Sequence, residues 1–154
     1  MNKTASTLVF TWGNPSRGDD ALGCLFHDAL IHDNFEDVEV LTDFQLQIEH
    51  CTDLENRKRV IFVDADMTLS SNYSLKKITP DSSQAFTTHA MAPQSLMHVC
   101  TKVNTTGLPE CWLLQIRGYD FELGKSLSQA AKNNLDLALA AIRSLIKNKN
   151  PKEA

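Results

Sequence analysis

Three polar residues stand where apolar chain has just ended or a helix is about to begin. Gly13-Asn14-Pro15-Ser16-Arg17-Gly18-Asp19-Asp20 follows the run Leu8-Val9-Phe10-Thr11-Trp12, and Asp64 follows directly on Val60-Ile61-Phe62-Val63. His89 lies in Thr87-Thr88-His89-Ala90, between a turn and Pro93. A charge is costly inside an apolar strand, so Asp64 reads as the strand's exposed carboxyl end. Two carboxylates and one imidazole sharing a crevice, with positions left open, form a transition-metal ligand set that nickel, zinc or iron would satisfy. Each acid also has a plainer part to play. The Asp19-Asp20 pair could cap a helix and complement its dipole, and Asp64 could accept loop amides. Asp66 competes with Asp64 for the same place.

Other chemistries fit less well. Gly13 and Gly18 have the spacing of a phosphate-binding loop, but Asp19 and Asp20 stand where that loop places Lys and Ser or Thr. Two carboxylates already satisfy the helix N-terminus that would otherwise attract an anion. The glycines do not form the dinucleotide fingerprint either. The sequence contains no H-E-x-x-H and no G-x-S-x-G, and no thiol carries a cysteine-protease flank. His27, His32 and His98 read as helical, and His50 beside Cys51 has no evident Asp or Asn partner, so all four are assigned to structure or solvent. Cys24, Cys51, Cys100 and Cys111 are widely spaced with no CxxC pair, and without a secretory signal they read as reduced thiols.

The elements that must position these residues alternate. Strands are expected at 8–12, 38–41, 59–64 and 111–116, with an edge strand at Tyr73–Ile78. The helical spacing of Leu22, Leu25, Phe26 and Ala29 marks a first helix. Gln47–Leu54 reads as a weak helix. Pro93 suits the first turn of another, with Leu96, Val99, Cys100 and Val103 as its buried face. A last helix runs from about Ser128 to Ile146, followed by a polar, frayed tail at 148–154. Continuous apolar strands between helices predict an α/β, three-layer sandwich: a mostly parallel, twisted sheet of about five strands with helices on both faces.

The chain has 154 residues, matching a single domain spanning 1–154. It is 42% hydrophobic and 22% charged with a net charge of −4, which is ordinary globular composition and lacks the basic footprint of a nucleic-acid binder. No stretch approaches the roughly 20 apolar residues that span a bilayer, so no membrane partner is expected.

The motifs in succession resemble the [NiFe]-hydrogenase maturation proteases. The resemblance begins in Gly13-Asn14-Pro15-Ser16-Arg17-Gly18-Asp19-Asp20-Ala21-Leu22-Gly23 and continues through Thr42-Asp43-Phe44-Gln45-Leu46-Gln47-Ile48-Glu49-His50. It then runs through Phe62-Val63-Asp64-Ala65 and Thr87-Thr88-His89-Ala90 to Ile116-Arg117-Gly118-Tyr119-Asp120-Phe121-Glu122-Leu123-Gly124. It implies a cytoplasmic endopeptidase, monomeric, that removes the C-terminal extension of a nickel-loaded hydrogenase large-subunit precursor. By the same resemblance Asp20, Asp64 and His89 are the catalytic and metal-binding residues. The nickel is supplied by the precursor, and no tightly bound cofactor is expected. Asp19 then shapes or caps the loop, and Gln45, Gln47 and Glu49 help to form the substrate cleft. A non-catalytic nickel-sensing checkpoint or metallochaperone for hydrogenase assembly would use the same three ligands.

Overall fold

The computed structural model describes residues 3–82 and 91–148. Five strands, β1 (Thr7–Trp12), β2 (Val38–Asp43), β3 (Arg59–Asp66), β4 (Tyr73–Ile78) and β5 (Glu110–Arg117), form one sheet in the order β2-β1-β3-β5-β4. All neighbouring pairs are parallel except β4 with β5, which is antiparallel. Four α-helices accompany them: α1 (Leu22–Ile31), the single turn α2 (Cys51–Leu54), α3 (Pro93–Val103) and α4 (Gln129–Lys147). The expected α/β sandwich is therefore the observed one. Among the described residues no helix is long and apolar enough to cross a membrane.

Residue alternation explains the two cores. Val9, Ile61, Val63, Trp112 and Leu114 face α1 and α4, where Leu22, Phe26, Leu135 and Ile142 meet them. Leu8, Phe10, Val60, Phe62 and Leu113 face the other way, onto Leu54 of α2 and Leu96, Met97 and Cys100 of α3. The central strands β1 and β3 are thus apolar on both sides, as a covered parallel sheet requires. The edge strand β4 is mixed instead: Leu75 and Ile78 are buried in opposite cores while Lys76 and Lys77 are exposed, and a charged edge discourages pairing with another chain.

Three expectations need adjustment. Val103 is 59% exposed at the last turn of α3, and Met97 takes the buried position instead, because the helix face rotates with the 3.6-residue period. Gln47–Leu54 is broken into a turn of 3-10 helix, Ile48–His50, followed by α2. The cysteines differ more. Cys51 and Cys100 form a disulfide between α2 and α3 with their Cα atoms 5.4 Å apart, whereas Cys24 and Cys111 are free. Sequence distance concealed the pair: 49 residues separate two cysteines that the packing of α2 on α3 brings together.

Candidate active site

The loop after β1 closes tightly on itself. Asn14 accepts from the amides of Ser16 and Arg17, and Arg17 accepts from the amide of Asp20, which starts a turn of 3-10 helix at Gly18–Ala21. The loop returns so closely that a Cβ on Gly13 would sit 2.2 Å from the Asp20 carbonyl oxygen, and Gly13 has φ of +147°. Only glycine fits that approach. A Cβ on Gly23 would likewise meet the Trp12 carbonyl at 2.2 Å, so α1 can lie against the end of β1.

The two adjacent acids of this loop do different work. Asp19 is fully buried, and its carboxylate accepts from the amides of Tyr119, Asp120 and Ser128 at 2.8, 3.3 and 2.7 Å and from the Ser128 hydroxyl at 2.8 Å. Burial pushes its pKa up, but these donors, led by the Ser128 amide, outweigh it and leave the pKa below the ordinary value. Asp19 therefore ties the β1 loop to the loop after β5 and to the N-cap of α4, a loop-shaping role. Asp20 accepts from the Asn14 amide at 2.8 Å. Burial raises its pKa, opposed by that amide and by the Arg17 charge.

Strand register places the second acid. Thr11 stands opposite Thr42 and Val63, so the next residues, Asp43, Trp12 and Asp64, form one row across the sheet, continued by Gln115. Parallel neighbours in a row share a face, here the one that carries α2 and α3. Asp64 is pushed up to about 7, first by burial and then by the charges of Asp20 and Asp66, against the amide of Ala65. The Asn14 amide and Arg17 oppose the upward shift of Asp20, and its charge adds to burial, the larger cause, in raising Asp64. Asp66 is already committed: one oxygen accepts from Gln115 at 2.8 Å, the other from the amide and hydroxyl of Thr68 at 2.6 Å each. Among the described residues Asp66 is thus held by Gln115 and Thr68, whereas Asp64 accepts from the Ala65 amide and lines a cavity.

Asp64 borders a cavity of about 410 Å³ with Trp12, Lys76, Leu113, Gln115 and the first turn of α3. A larger groove of about 870 Å³ lies at the opposite sheet edge, among Lys3, Asp37, Lys58, Arg59 and Glu110. It is remote from both carboxylates. The third expected ligand, His89, lies outside the described residues. Among the described residues no group of three His, Cys, Asp or Glu side chains converges as a metal site.

One pair escaped the sequence reading. His50 is 8% exposed; its Nδ1 accepts from the Gln47 amide at 2.8 Å, so the proton is on Nε2, which donates to Asp43 at 3.1 Å. The ring also meets Phe10 edge-on at 4.5 Å. This pair flanks Trp12 on the side away from Asp64. Seven residues separate its members, and the register of β2 alone shows that Asp43 shares the row of Asp64.

No protein-family model and no curated protein matches this sequence. Solved structures do. The chain is similar to a [NiFe] hydrogenase maturation protease, HycI, from Thermococcus kodakarensis, with a TM-score of 0.73 and 21% identity over 94% of both chains. It is similar to the hydrogenase maturating endopeptidase HybD from E. coli, with a TM-score of 0.71 and 18% identity over 92% of this chain and 91% of that one. A hydrogenase 2 maturation peptidase from a Thaumarchaeota archaeon gives 0.65 and 19%, over 91% and 97%. The sheet order, the helices on its two faces and the carboxylate-bearing edge are thus built on the fold of the [NiFe] hydrogenase maturation proteases.

Proposed function

We propose that this protein is an endopeptidase that removes the C-terminal extension of a nickel-loaded [NiFe]-hydrogenase large-subunit precursor in the cytoplasm. The reading is carried by one observation: Asp20 and Asp64 are electrostatically coupled at the carboxyl edge of a sheet that has the maturation-protease fold. Ligand crevices in open α/β sheets lie at that edge.

In this reading Asp20, Asp64 and His89 engage nickel that the precursor already holds, and nickel supplies Lewis acidity at the scissile carbonyl. Two carboxylates and an imidazole without a thiolate are not nickel-selective, so selectivity comes from the precursor's own ligands. The chain's residues then orient and protonate. The Asn14 amide and Arg17 favour the ionised form of Asp20 against its burial, and Trp12 and Leu113 line the cavity beside Asp64. In the metal-free protein Asp64 has a pKa of about 7, so it gives up a proton as it engages the nickel.

The test is incubation of this protein with nickel-loaded and with metal-free precursor, followed by mass spectrometry of the large subunit. Loss of the extension from the nickel-loaded form alone supports the reading. Equal cleavage of both forms refutes the nickel dependence, and stable binding without cleavage refutes the peptidase assignment in favour of a checkpoint.

A further inference from the structure

Among the described residues, eight large apolar side chains are exposed, and five of them (Phe44, Ile48, Met67, Tyr119 and Leu123) follow β2, β3 or β5 at the edge that bears Asp20 and Asp64. Phe44 and Leu123 are 67% and 65% exposed. Clustering of this kind at one edge marks an interaction surface, whereas apolar residues scattered singly do not.

The loops that carry them are held in place. Phe44 donates its amide to Asp43 at 2.7 Å, and His50 fixes Gln47. The Leu123 loop is tied through the Gly124 amide to the Ser16 carbonyl at 2.7 Å, through the Gly18 amide to the Lys125 carbonyl, and through Asp19. Presenting apolar groups on fixed loops lowers the ordering cost of association. The same segments add Asp43, Glu49, Asp66, Asp120 and Glu122, against Arg117 and Lys125, so the apolar groups stand in an acidic field.

Resting on the processing reading above, we propose that these five residues form a docking rim for the folded body of the precursor, and that the patch it receives is apolar and basic. The two ends of the rim, at β2 and β5, are three strand spacings apart, about 14 Å, with the carboxylate pair between them. A contact on both flanks of the crevice is made by a surface, and the extension then lies in the crevice between.

The experiment uses the full chain and purified nickel-loaded precursor bearing its extension. The double variant Phe44→Ser/Leu123→Ser is compared with Val103→Ser/Leu137→Ser, which removes exposed apolar groups elsewhere. The rim variant should raise KM and weaken the precursor affinity about tenfold or more, with kcat at saturation unchanged, whereas the control should match wild type. Met67→Ser, on a separate loop, should weaken affinity in the same direction. Affinity and KM equal to the control overturn the rim, as does a fall in kcat with affinity intact. If wild type binds the precursor and does not cleave it, the processing reading fails, and the affinities of the two double variants still decide the rim.

Discussion

Replacing Asp64 by Asn should make the metal-free protein more stable in neutral and alkaline solution. The carboxyl has its pKa raised from 3.8 to about 7, chiefly by burial and then by the charge on Asp20. An acid whose pKa is higher in the folded state costs nothing below its unfolded value. The cost grows as pH rises from about 4 to about 7 and is complete above that. At about 1.36 kcal/mol per pKa unit, the gap sets an upper limit of about 4 kcal/mol near pH 8 and about half of that near pH 5.5. Wild type should therefore gain up to about 2 kcal/mol between pH 8 and pH 5.5 from this group. The Asn variant, nearly isosteric and uncharged, should lack that slope and exceed wild type near pH 8. Urea unfolding followed by circular dichroism at both pH values measures the difference as a shift in midpoint at constant m. The Asp20→Asn variant should show the same trend by a different route, since removing its charge lets Asp64 ionise at lower pH, visible by carboxyl NMR titration. An Asp64→Asn protein no more stable than wild type near pH 8, or one that keeps the wild-type slope, would show that Asp64 is solvated and uncoupled.

Asp19→Ala should act in the opposite direction, because it strands the amides of Tyr119, Asp120 and Ser128 that the carboxylate satisfies. A loss of about 3 kcal/mol or more is expected from buried donors left unpaired, and an unfolding midpoint within error of wild type would remove Asp19 from its anchoring role. The Cys51–Cys100 disulfide closes a long loop, with 49 residues of separation, and the chain-entropy relation gives about 4 kcal/mol for a loop of that size. Cys100→Ser, or wild type in reductant, should lose a comparable stability relative to oxidised wild type; alkylation that labels all four cysteines in the denatured, unreduced protein would refute the bond.

Much of the architecture was legible in the residues because it is a local matter. The apolar run Val60–Val63 has no polar face and must be covered on both sides, which already implies a central strand. The periodicity of Leu22, Leu25, Phe26 and Ala29 is also a property of a short segment. For the same reason Asp20 and Asp64 could be proposed for one edge: each follows a strand whose end the apolar pattern marks.

What the sequence could not decide was which side chains face each other across distant segments. Asp19 and Asp20 are chemically identical neighbours, and only the arrival of Tyr119, Asp120 and Ser128 makes the first a buried anchor and leaves the second coupled to Asp64. Asp66 is set apart from Asp64 by Gln115, which reaches it from the neighbouring strand. His50 acquires Asp43, and Cys51 acquires Cys100, through the register of β2 and the packing of α2 on α3. The raised pKa of Asp64 belongs to the same class, since it depends on burial and on the charge of a residue in another loop. Local periodicity is written into the order of residues along the chain. Pairing and electrostatic coupling depend on distances through space, and for residues far apart in the chain only the closed fold sets them.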